Sequence, residues 1–125
     1  MFFFQCLVFT SKGNKILLTR AADLRQAQNT SNIKDIRIWV DRDNNNPADY
    51  LKSILAELSL ENKNLGIEYE TYGLTGKNAL MLNASLNNFA KLHDESFLIT
   101  KHRLVKSDHE IKYVKKAADL ADKAL

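Results

Sequence analysis

Three histidines, His93, His102 and His109, are the first residues to weigh for chemistry, because imidazole both ligates metals and moves protons near neutral pH. Asp94 and Asp108 stand next to two of them. The spacings of nine and seven residues do not set the three on one face of one continuous helix, and a helix start at Ser107 separates the last two. Surface histidines are the simpler reading. Glu68 ends the segment LGIEY, the place where α/β sheets turn groups towards ligands; capping a neighbouring helix or pairing with a Lys or Arg is the preferred alternative. Arg20 and Asp23 mark the end of one strand and the first turn after it, where they would meet a substrate or partner or, more simply, each other. Cys6 lies inside an apolar run with no base beside it, so a nucleophilic thiolate is not expected there. The chain has no G-x-G-x-x-G, Walker loop, H-E-x-x-H, C-x-x-C or G-x-S-x-G, and Gly73-x-x-Gly76 is a loop entering a helix.

Composition narrows the class. With 45% hydrophobic and 26% charged residues in 125, the chain reads as one soluble globular unit. A net charge of +3 from scattered Lys and Arg gives no footprint for nucleic acid. No apolar run approaches the ~20 residues of a membrane span. The opening MFFFQCLVF lacks the basic start and small-residue cleavage site of a signal peptide and reads instead as a buried strand. A single cysteine allows no internal disulfide, and a cytoplasmic setting is expected.

These residues must be positioned by elements that the periodicity predicts. Residues 2–10 form an apolar run suited to a strand buried on both faces, returning through the turn SKGN into the strand KILLT. A helix follows over residues 20–28. In DIRIWVD, Ile36, Ile38 and Val40 are expected on one face and Arg37 and Trp39 on the other, with the strand half buried and Trp39 sharing the face of a charged residue. Pro47 opens an amphipathic helix carrying Leu51, Ile54, Leu55 and Leu58 and ending near Leu60. LGIEY is a strand, residues 75–86 a helix, residues 88–92 a last short strand, and a short helix capped by Asp94 follows. The alternation predicts an α/β fold with a mixed sheet flanked by helices.

Ser107 and Glu110 form an S-x-x-E capping box ahead of Ile111, Val114, Ala118, Ala121 and Leu125 at helical spacing. This helix meets no Gly, Asn or Pro stop signal, which suggests a chain cut inside a larger protein.

Taken in order, these pieces carry a resemblance: a hairpin ending in Arg20 with Asp23 and Ala27 after it, then Asp41, Pro47 with Tyr50 and Leu51, LGIE at residues 65–68, and RLVKSDHEI at residues 103–111. The chain resembles the N-terminal domain of the creatinase/prolidase superfamily, whose members include Xaa-Pro dipeptidases, aminopeptidase P, creatinase and ectoine hydrolase. Arg103, Lys106, Ser107 and Glu110 resemble that family's junction into its catalytic domain. YETYGL and the R-x-x-D at Arg20 lean towards the ectoine-hydrolase branch. The resemblance implies a ribonuclease-H-like domain over residues 1–106, without its usual first helix and strand, and a linker helix over residues 107–125 leading to a catalytic domain outside this chain. In the peptidases that domain holds two divalent metals (manganese, cobalt or zinc) on two Asp, one His and two Glu; none of these matches a residue here, so no catalytic or metal-binding residue is assigned.

The function so implied is that of a non-catalytic domain of a C–N-bond hydrolase, shaping substrate access and oligomer contacts, with Arg20, Asp23, Trp39 and Glu68 as substrate-side or interface candidates. Its partners would be the catalytic domain and further copies of the chain. The alternatives are a stand-alone protein-interaction module, like the superfamily's catalytically dead histone-chaperone relatives, and a small-molecule-binding domain using Glu68.

Overall fold

In the computed structural model, which describes residues 4–124, β1 (Cys6–Phe9) and β2 (Lys15–Arg20) pair antiparallel, with Leu7 opposite Leu17 and Val8 opposite Ile16. The turn between them closes because Gly13 takes φ +88°, and Thr10 and Asn14 bond to one another through backbone and side chains. A single 3-10 turn and α1 (Leu24–Thr30) carry the chain over to β3 (Asp35–Trp39), which lies parallel to β2. The central strand is therefore β2, and its Leu18, Thr19 and Ile16 are the best buried residues of the sheet.

One expectation about faces changes here and one is decided. Val8 is buried, but Leu7 and Phe9 are 42% and 57% exposed, so β1 is covered on one face only. The reason lies in α1, which packs on β2 and β3 and leaves the Leu7–Phe9 side of β1 open. Phe2 and Phe3, the start of the expected strand, lie outside the described residues. In β3 it is Trp39, 5% exposed, that enters the core, whereas Ile38 is 43% exposed. Register explains the choice of face: Trp39 shares the pleat face of Ile16 and Leu18, the face that α2 (Pro47–Glu57) covers. Its indole Nε1–H donates to the Phe4 carbonyl at 2.9 Å. Arg37 stays at the rim between Asp35 and Glu57, which raise its pKa further, the Asp35 hydrogen bond foremost.

Helix α2 starts as its sequence demands, with Pro47 in the first turn and the Asn46 side chain accepting from the Ala48 amide. It stops at Glu57 without a glycine. Ser59 supplies the left-handed residue (φ +56°), and the amides of Ser59 and Leu60 donate to the carbonyls of Ala56 and Leu55. Ala48, Leu51, Ile54 and Leu55 join the sheet residues to Leu82 and Leu86 of α3 (Gly76–Leu86) and to Phe89, making one core. Asn46 Nδ2 donates to Ser85 Oγ, which donates to Asp49 Oδ1 at 2.6 Å, tying the two helices at their ends.

The remaining strands, β4 (Asn64–Ile67) and β5 (Lys91–Asp94), form a parallel pair of their own, so the strands divide into a mixed three-stranded sheet and a parallel two-stranded one. The expected strand at residues 88–92 begins three residues later, at Lys91. Asn88 is left-handed (φ +59°), and the turn it makes drops Phe89 into the core, its carbonyl accepting from the Asn62 amide. Beyond β5, α4 (Leu98–Leu104) and α5 (Asp108–Ala124) follow, and every described residue from 97 to 124 is exposed.

Candidate functional site

Parallel strand pairs open towards ligands at their C-terminal ends, and this chain has two such ends. At the first, Arg20 closes β2 beside Trp39 of β3. Its guanidinium donates from Nε and Nη2 to the two carboxylate oxygens of Asp23 at 3.1 and 3.2 Å, and Asp41 lies 3.8 Å from Nη1. A planar fork on a carboxylate is the strongest pairing Arg makes. The arrangement fixes the turn after β2, which fits the local-pair reading of Arg20 and Asp23. Trp39, expected on the substrate side, is walled into the core.

At the second end, Glu68 follows β4 directly. Its Oε1 accepts from the Ile99 amide at 3.2 Å, in the first turn of α4. Glu68 is thus the helix cap, and Asp94, expected in that role, is not. The Asp94 carboxylate instead accepts from the Ser96 amide at 2.9 Å and from its hydroxyl at 2.5 Å, and these bonds hold it below the usual carboxylate range. Ser96 Oγ also accepts from the Glu70 amide, and the Glu95 amide donates to the Ile67 carbonyl, so the two loops are laced together. Gly66 completes the junction: a Cβ there would stand 2.7 Å from Glu95 Cγ. The D-x-S spacing of Asp94 and Ser96 was a readable turn signal, whereas the Gly66–Glu95 approach has no local signature.

Replacing Glu68 with alanine should leave the Ile99 amide unsatisfied by protein and loosen α4 while β4 and β5 stay intact. Amide exchange is expected to accelerate at residues 98–101 by about the tenfold that a lost bond to a charged group brings. Unchanged exchange there would remove the capping role.

The junction residues adopt the geometry their spacing announces. Glu110 Oε2 accepts from the Ser107 amide at 2.8 Å and its hydroxyl at 2.7 Å, and the Glu110 amide donates to Ser107 Oγ at 3.3 Å. Lys106 Nζ turns away to the carbonyls of Arg103 and Leu104. The Ser107 bonds, first the hydroxyl and then the amide, depress the Glu110 pKa, with Lys106 and Arg103 adding to the effect. A depressed carboxylate stabilises the helix above its unfolded pKa and stops doing so as pH falls through the folded one. Ellipticity from α5 should therefore hold at neutral pH and decline under acid. Ser107→Ala should remove about 1 kcal/mol of helix stability and flatten that acid step. An acid profile that is identical in both proteins would contradict the box.

The histidines remain apart: His93 Nε2 is 3.2 Å from Asn64 Oδ1, His109 meets Tyr113 edge-to-face at 5.1 Å, and His102 is exposed on α4. Burial pushes the Cys6 thiol up to about 11, which opposes thiolate formation. Among the described residues no three His, Cys, Asp or Glu converge to hold a metal ion. No described helix is long and apolar enough to cross a membrane.

The chain matches the family model of the creatinase/prolidase N-terminal domain over residues 2–105. Among solved structures it is similar to an Xaa-Pro dipeptidase from Bacillus anthracis, at 25% identity and TM-score 0.71, over 99% of this chain and 32% of that one. It is similar in fold to a dipeptidase from Pyrococcus horikoshii OT3, at 24% identity and TM-score 0.69, over 96% of this chain and 31% of that one. No curated protein matches. The chain spans about a third of the two solved structures.

Proposed function

Because the chain belongs to the creatinase/prolidase N-terminal domain family, we propose that it acts as the non-catalytic N-terminal domain of a metallohydrolase that cleaves C–N bonds in Xaa-Pro peptides or related small amides. One observation carries the reading: almost the whole chain aligns with less than a third of an Xaa-Pro dipeptidase. The local geometry supports it. Arg20, Asp23, Glu68 and Glu110 hold turns and helix starts. Hydrolytic chemistry, with any divalent metal it uses, would belong to a catalytic domain outside these residues. The present domain would wall that domain's site, limit substrate length and contribute contacts between subunits.

The purified 125-residue chain should therefore not hydrolyse Xaa-Pro dipeptides, creatine or ectoine, with or without added manganese. Turnover that follows the protein through purification and exceeds a buffer blank would place catalytic groups inside this chain and refute the assignment.

A further inference from the structure

We propose that Phe97 is a strained pivot and Glu68 its latch, so that α4 and α5 swing together as one arm against the strands when Glu68 lets go. Among the described residues, five other than glycine take positive φ: Asn44, Ser59, Asn62, Asn88 and Phe97. Four are Asn or Ser, whose short polar side chains suit turns. Phe97, at +67°, is the one bulky residue among them, and a backbone state of this kind lasts only where its surroundings impose it. Burial does not impose it, because the ring is 49% exposed. Hydrogen bonds do. The Asp94 carboxylate holds the Ser96 amide just before the pivot. Across the pivot, the Leu98 amide donates to the Glu95 carbonyl at 3.1 Å and the Ile99 amide to Glu68 Oε1.

Between described residues, these last two are the hydrogen bonds that rotation about the Phe97 N–Cα bond would break. The Lys101 amide donates to the Phe97 carbonyl at 2.7 Å and so turns with the helix. Glu68 is the member that reaches in from another element, 31 residues away. Helices α4 and α5 bury no described residue, so the angle of the arm is set at this turn. Two terms then oppose. The left-handed strain favours release, the charged acceptor at Ile99 favours the latched position, and each is worth about ten- to a hundredfold in an equilibrium constant. Terms so nearly balanced make a two-position element. The arm carries the Ser107–Glu110 box, so the pivot sets the angle between α5 and the strands. On the hydrolase reading, that angle widens or narrows the cleft this domain walls. The pivot itself stands apart from that reading, because its test reads distances rather than turnover.

The test places nitroxides on Glu61→Cys, before β4, and Lys112→Cys, in α5, of the full chain in a Cys6→Ala background. Glu61 and Lys112 are both exposed. Pulsed electron–electron double resonance measures their separation, and circular dichroism checks that each variant keeps its helices. Glu68→Ala should move population to a second distance by about tenfold. Adding Phe97→Asn, which accepts the left-handed state, should move it back by about fivefold. Phe97→Val, whose branched Cβ does not accept that state, should release the arm with Glu68 intact. One unchanged distance in both Glu68→Ala and Phe97→Val overturns the proposal. A Glu68→Ala, Phe97→Asn double variant that stays at the second distance also overturns it.

Discussion

Replacing Trp39 with alanine is expected to destabilise the chain by about 3–5 kcal/mol, the range for removing a large aromatic from a core. The expectation follows from its 5% exposure, its place against α2, and its bond to the Phe4 carbonyl. Phenylalanine separates the two contributions: most of the apolar contact survives, but the carbonyl loses its donor, at about 1–3 kcal/mol. Because Trp39 is the only tryptophan, urea unfolding should be followed by circular dichroism rather than fluorescence. The outcome also discriminates between roles. A substrate-facing tryptophan would be replaceable with little change in stability, so a loss below about 1 kcal/mol would return Trp39 to the surface. The expected loss would confirm that it organises the end of β3 from inside.

Much of this fold was legible because local chemistry and tertiary structure agree. Gly13 in SKGN, Pro47 at the start of α2 and Ser107 with Glu110 before α5 each announce a turn or helix start, and each is found in that role. What sequence could not decide was which face another element covers. DIRIWVD alternates cleanly, but alternation is symmetric. Only the parallel register with β2 puts Trp39 rather than Ile38 under α2. The apolar opening run has the same ambiguity: its composition suits burial on both faces, yet α1 packs mainly on β2 and β3 and leaves Leu7 and Phe9 exposed.

The candidate site was legible to a different degree. Glu68 stood out for its place after a strand, and capping was the preferred reading, but its partner, Ile99, is 31 residues away and follows an irregular turn. That turn depends on Phe97 at φ +67°, a backbone state no one would assign to a phenylalanine from sequence. It moves the helix start to Leu98 and releases Asp94 to bind Ser96. The Arg20–Asp23 pair was legible from spacing alone, whereas the approach of Asp41 depends on β3 lying beside β2.

The central claim, that this chain is the N-terminal domain of a hydrolase whose chemistry lies elsewhere, is tested most directly by a transplant. The chain would replace the N-terminal third of the Bacillus anthracis Xaa-Pro dipeptidase, joined through the helix after Ser107. Hydrolysis of Xaa-Pro dipeptides and of longer Xaa-Pro peptides would be measured with manganese present, beside the parent enzyme and a version lacking the domain. The account predicts dipeptide turnover within about tenfold of the parent, a barrier difference near 1.4 kcal/mol, together with a changed preference between short and long peptides. A folded chimaera that turns over no faster than the version lacking the domain would contradict it.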